Sequence, residues 1–186
     1  MSVALEGGRL ALTSGDQTIQ SIDVTSGILS LGTAGIGRDL TATGDVTKNT
    51  AGIFTLDGSG ALNAAALTVG KGLMSVESSA TLGMKSITIK SDATLSVNGG
   101  ALDSGAALAN AGTLALGGDE AIAALSGAGA VTLTDEAQLT LSDGTSEISG
   151  SISGYGGLSV SGGQVSLSGD NSYAGGTRVS SGRLTI

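Results

Sequence analysis

Apolar residues recur along this chain in pairs two positions apart, each pair introduced by a small residue. The pattern small, x, apolar, x, apolar reads GRLAL from Gly8, GILSL from Gly27, GIFTL from Gly52 and GLMSV from Gly72. It continues as ATLSV from Ala93, GTLAL from Gly112, GAVTL from Gly129, GLSV after Gly156 and GRLTI from Gly182. Further copies begin at Ala80, Ala137 and Gly163. The first apolar positions are Leu10, Leu29, Phe54, Met74, Leu95, Leu114, Val131, Leu158 and Leu184. Differences between successive numbers are 19, 25, 20, 21, 19, 17, 27 and 26, a mean step of about 22.

Alternation with period two predicts strands that keep both apolar side chains on one face. A second strand-like piece follows within several steps, at Ile22 and Val24, Leu67 and Val69, and Ile87 and Ile89. No window carries a helical apolar stripe, although AGIGRDL and DEAIAALSG have the look of short turns. Strand-sized units repeating at this step predict an all-β, right-handed parallel β-helix of about eight coils. Its inward side chains should stack as aliphatic ladders, with Leu12 over Leu31 over Leu56 and with Leu10, Leu29, Leu95 and Leu114 in one column. Eight rungs at strand spacing give a rod on the order of 38 Å long. The long 25-residue step includes residues 35–51, predicted to leave the ladder as an irregular loop. A β-sandwich also has short, regularly spaced strands, but it calls for hairpin dipeptides, and Asn98-Gly99 is the one good example.

Composition sharpens this. The chain has 33 Gly, one Phe, two Tyr, and no Trp, Pro or Cys, with 40% hydrophobic residues and a positive mean hydropathy. Gly-rich and Ser/Thr-rich sequences are often disordered, but regular apolar spacing argues against that here. A narrow lumen filled by Leu, Ile, Val and Ala accounts for the scarcity of rings. Lack of Cys excludes disulfides and thiolate metal sites. No apolar run reaches membrane-spanning length, and MSVALEGGRL lacks a signal-peptide core.

The net charge of −8 is unevenly distributed. Residues 1–90 carry seven acids and six bases, whereas Ser91 to Thr177 carry nine acids and no Lys or Arg. Such a surface repels phosphate backbones, which argues against nucleic acid as a partner. Without His there is no imidazole base and no His metal ligand. The acids Asp119, Glu120, Asp135 and Glu136 are the weak surface candidates for acid–base or calcium chemistry. Neighbours in a strand point to opposite faces, however, so either pair could act together only in a turn. The calcium nonapeptide and phosphate-loop patterns fail at residues 117–121, 167–172, 32–37 and 70–72. Regular Thr-x-Thr arrays do not appear, since the alternate positions are Leu-x-Leu. No cofactor or metal is expected. Tyr173 is expected to pack over the coil, while Tyr155 could serve as an exposed aromatic contact.

The C-terminal stretch GGLSVSGGQVSLSGDNSYAGGTRVSSGRLTI, residues 156–186, resembles the passenger-associated transport repeat of bacterial autotransporters. The matching residues are Gly156, Leu158, Leu167, Gly169, Asn171, Tyr173, Gly175, Gly176, Thr177, Val179, Gly182 and Leu184. The N-x-Y-x-GGT core is the specific part. Arg178 departs from the family's small polar residue at that point, and earlier coils share only the generic pattern.

The resemblance implies one segment of a β-helical passenger, residues 1–186, exported across the outer membrane of a Gram-negative bacterium to the cell surface or beyond. It implies that a signal peptide and an outer-membrane barrel lie elsewhere in a larger protein, and that further rungs or a cap follow Ile186. Absence of Cys suits passage through an oxidising periplasm. The expected function is non-enzymatic: adhesion to a host or neighbouring cell, or end-to-end or face-to-face self-association with other copies. The alternatives are a structural stalk that assists secretion and folding, and a carbohydrate-processing enzyme. No direct membrane span is expected in this segment.

Overall fold

The computed structural model describes residues 2–12, 17–19, 21–33, 36–77, 79–99 and 101–186, and its regular elements are strands with no helix among them. The chain is a parallel β-solenoid of about 8 turns with about 20 residues in each. Each turn visits three faces in the same order. The first face holds residues 2–5, 21–24, 46–48, 66–69 and 86–89, then Ala107–Asn110, Ala124–Ser126, Thr145–Ile148, Gln164–Leu167 and Arg183–Thr185. The second holds residues 9–12, 27–31, 54–57, 73–76 and 94–97, then Thr113–Leu116, Ala130–Leu133 and Ile152–Gly154. The third runs from Gln17–Ile19 through Leu40–Ala42, Ala61–Asn63 and Thr81–Gly83. A single Leu82–Leu102 bridge continues it, followed by Glu120–Ile122, Gln138–Leu141, Gly157–Val160 and Thr177–Val179. In the earlier turns the first two faces belong to one long strand bent at a corner, as in Ala66–Val76 and Ser86–Val97.

Alternation decides what goes inside. On the second face, Phe54, Met74, Leu95, Leu114, Val131 and Ile152 form one inward column, all at most 1% exposed. On the first, Val46, Leu67, Ile87, Leu108 and Leu125 form another. Each such burial contributes roughly 1.5–3 kcal/mol, so the ladders carry most of the favourable folding energy. The strand expectations at Ile22, Leu67 and Ile87 hold, and they define the first face.

The structure corrects several expectations. Leu10 pairs with Leu29 and Leu95 with Leu114, but these are two columns: Leu29 continues to Leu56, Val76 and Val97, two residues along from Phe54, Met74 and Leu95. Leu12 pairs with Leu31, yet Leu31 meets Gly58, not Leu56. A shift of two residues preserves the inward set, which is why the one-dimensional pattern did not reveal it. The motif also does not stay on one face. Leu158 sits on Leu139 of the third face and Leu184 on Val165 of the first. The apparent steps of 27 and 26 therefore each combine a turn with a change of face, and the true repeat is shorter than 22.

Finally, residues 35–51 are mostly not a loop. Ile36–Gly37 pairs antiparallel with Gly32 and Thr33, Leu40–Ala42 joins the third face, and a first-face strand starts at Val46. Ala34 and Gly35 lie outside the described residues. The segment DEAIAALSG likewise supplies the strands Glu120–Ile122 and Ala124–Ser126.

Candidate functional site

The segment resembling a transport repeat folds as ordinary rungs, and its distinctive residues hold those rungs together. Asn171 Oδ1 accepts the Ile152 N–H at 2.9 Å, and its amide donates to Gly169 O at 2.8 Å. Tyr173 packs half-buried against the core, as expected, and its hydroxyl hydrogen-bonds the Thr177 hydroxyl. Gly175 passes so close to the rung below that a Cβ there would stand 2.7 Å from Gly156 backbone atoms. Gly169 lies against Gly150, while Gly176 and Gly182 take positive φ of 75° and 79°. Thr177 and Val179 pair with Leu158 and Val160, and Leu184 pairs with Val165. None of these motif residues lines the hollows described below.

The four acids separate into two situations. Asp135 and Glu136 occupy the exposed tip of a turn closed by Ala137 N–H donating to Thr134 O at 2.9 Å. Both have left-handed φ, 51° and 64°, the geometry of a type I′ turn. Asp119 and Glu120 are in different surroundings. Asp119 Oδ1 accepts the Gln138 N–H at 2.8 Å. Glu120, expected at the surface, is 3% exposed and occupies an inward position paired with Leu139. Its two carboxylate oxygens accept the N–H groups of Ala101 (2.9 Å) and Leu102 (3.1 Å). The third face is reduced to one bridge at Leu102, so the carboxylate supplies acceptors where a strand would supply carbonyls. Burial raises the Glu120 pKa, the two N–H bonds oppose that, and the charge of Asp119 adds to the rise.

Other buried polar side chains went unnoticed in the sequence. Lys48 is fully buried in the column between Val24 and Val69. Its ammonium donates to Lys71 O at 2.9 Å and to Thr50 O, and desolvation lowers its pKa. Asn110 bonds Ala130 O and the Gly112 N–H at a corner. Ser146 Oγ accepts the Leu125 N–H at 3.0 Å. The signal was available: Lys48 stands two positions after Val46, Asn110 two after Leu108, and Ser146 two before Ile148, each on an inward alternation.

Outward positions form rows running up the rod. The first face presents Thr47, Thr68, Thr88 and Ala109 in register, and the second presents Thr55, Ser75, Ser96, Ala115, Thr132 and Ser153. Threonines thus align across strands. Tyr155 projects at a corner, 77% exposed. The exposed base Lys85 donates to Asp103 Oδ1 at 2.7 Å, and that bond, with the Gly105 N–H, holds the Asp103 carboxyl below its ordinary pKa.

Two hollows on the first face share Glu147 and Ser166, with volumes of about 370 and 140 Å³. Ser126, Ser149 and Ser168 line the larger, and Thr145, Gln164, Arg183 and Thr185 the smaller. On the third face a hollow of about 290 Å³ is lined by Asp119, Glu120, Gln138 and Thr140. Among the described residues no group of three His, Cys, Asp or Glu is placed to hold a metal ion. No protein-family model, curated protein or solved structure matches the chain.

Proposed function

We propose that this chain is a length of stiff rod from the passenger of a Gram-negative autotransporter, displayed at the cell surface or secreted, and that it works without catalysis by adhesion or by self-association between cells. The observation that carries the reading is the set of outward Ser and Thr rows, repeated rung after rung on a scaffold with a continuous aliphatic core. Many weak polar contacts in fixed register add through multivalency, so a long face can adhere where one rung could not. The likeness of residues 156–186 to a transport repeat supports the autotransporter assignment.

A stalk that holds a distal domain and assists export is the second reading. It is favoured by one observation: Asn171 and Tyr173 make their side-chain bonds within the rungs, leaving the motif's polar core engaged in building the rod. Beads coated with the chain separate the two. Adhesion predicts clumping, or binding to cells, that weakens when the outward rows are interrupted by Thr68→Lys and Ser96→Lys. A stalk predicts dispersed beads that bind nothing, together with impaired export when Asn171 is replaced in the exported protein. Release of sugar from a polysaccharide by the purified chain would overturn both.

A further inference from the structure

The acids near the hollows differ in what they have left to offer. On the third face, Asp119 and Glu120 accept backbone N–H groups, and Asp103 nearby is held by Lys85 and Gly105. On the first face the Glu147 carboxylate projects outward between the rows of Ser126 and Ser166, and its oxygens have no hydrogen-bond or ion-pair partner among the described residues. Among the described residues, the side chains of Ser166, Ser168, Gln164 and Arg183 around it are also without one. Acceptors and donors therefore converge unused on one groove. Its floor is backbone, because Gly127 contributes no side chain and Ile148 and Val165 turn inward.

We propose that this groove binds a neutral glycan chain lying along the rod axis, with about one sugar on each rung. A carboxylate flanked by hydroxyls, an amide and one guanidinium matches the vicinal hydroxyls of a pyranose, each of which both donates and accepts. Rungs stand about 4.8 Å apart, close to the length one sugar adds to an extended chain, so hydroxyl rows and sugar rings stay in step. From Ser126 to Thr185 the groove crosses four rungs, about 14 Å at that spacing. Anionic glycans are disfavoured, since the chain from Ser91 to Thr177 holds acids and no base. A protein partner is disfavoured as well. The large exposed apolar side chains among the described residues are Ile53, Tyr155, Val179 and Ile186, and none lines the groove. Without an aromatic platform each site is weak, with a Kd of about 1 mM, and display in many copies makes it useful.

This inference rests on the adhesive reading and can fail separately from it. Amide shifts of the isotope-labelled chain are followed on adding cellohexaose, laminarihexaose or mannohexaose, with a heparin hexasaccharide as the anionic comparison. At least one neutral hexaose should shift Gly127, Glu147, Ser166 and Ser168 and saturate in the low-millimolar range. Glu147→Gln should weaken that binding about tenfold, the loss of one charge-assisted hydrogen bond, and Asp135→Asn should leave it unchanged. The proposal is overturned if no neutral hexaose shifts these amides, if Glu147→Gln binds as tightly as the parent, or if heparin binds more tightly. Beads that still clump while carrying Glu147→Gln would leave self-association standing after glycan binding is lost; beads that bind hexaose but never clump would do the reverse.

Discussion

Phe54, the chain's one phenylalanine, lies in register on Gly27. The ring is fully buried, with Met74 on its other side. Gly27 is constrained in its own right: its φ is +118°, and a Cβ would stand 2.7 Å from Gly8 O. Gly27→Ala should therefore destabilise the early rungs by about 1 kcal/mol or more. Phe54→Ala should cost about 3–5 kcal/mol, and Phe54→Leu less, about 1 kcal/mol. Urea unfolding followed by far-ultraviolet circular dichroism gives all three, and equal costs for Phe54→Leu and Phe54→Ala would contradict the packing described.

Glu120 provides a test with a defined sign. Its folded pKa is raised above the ordinary 4.5, so the folded chain holds that proton more tightly than the unfolded chain. The resulting stability is complete below 4.5 and declines as pH rises through the folded value. Relative to Glu120→Gln, the parent should gain stability as pH falls from 7 toward 4, read as the difference between urea midpoints so that other acids cancel. Glu120→Leu restores an aliphatic column but leaves the Ala101 and Leu102 N–H groups without acceptors. It should be destabilised at pH 7 by about 2 kcal/mol or more; a Leu variant as stable as the parent would show that the carboxylate is not needed there.

Lys48 has the opposite pH dependence. Burial lowers its pKa from 10.5, so the unfolded chain binds the proton more tightly and stability rises with pH as the ammonium is neutralised. Lys48→Met fits the same column between Val24 and Val69 and removes the buried charge. Compared with that variant, the parent should gain stability as pH rises from neutral toward 10.5. A difference that stays flat over this range would mean that the ammonium is solvated in the folded state.

The strands, their parallel stacking and the aliphatic lumen were legible because period two is the geometry of a pleated strand, and each copy reports it independently. Which copies stack was not legible. Leu158 and Leu184 carry the same pattern as Leu114 yet lie on other faces, since all three faces make the same demand of alternation. The two-residue shift that puts Phe54 on Gly27 was hidden for a related reason: it exchanges one inward residue for another. The position of Glu120 depended on an interruption one turn earlier, at Leu102, which a local pattern does not register. Glu147 was passed over because an outward acid is unremarkable until its neighbours in adjacent rungs are known.

The closing rungs test whether the Asn of the N-x-Y-x-GGT stretch is structural. Asn171 occupies a position on the rung above Ile152, where a leucine would continue the column but would leave the Ile152 N–H without the side-chain acceptor it now has. Asn171→Ala removes that acceptor and the donor to Gly169 O, and should cost about 1–2 kcal/mol. In a solenoid such a loss stays near its site, because each rung contacts only its neighbours. Hydrogen exchange should therefore quicken across residues 164–185 while protection at Leu67–Val69 and Leu95–Val97 is unchanged. Tyr173→Phe, which keeps the packing and loses only the bond to Thr177, should show a smaller change in the same region. If Asn171→Ala left exchange unaltered there, the asparagine would be free for a partner outside the rod, and the motif would have to be read as a recognition surface.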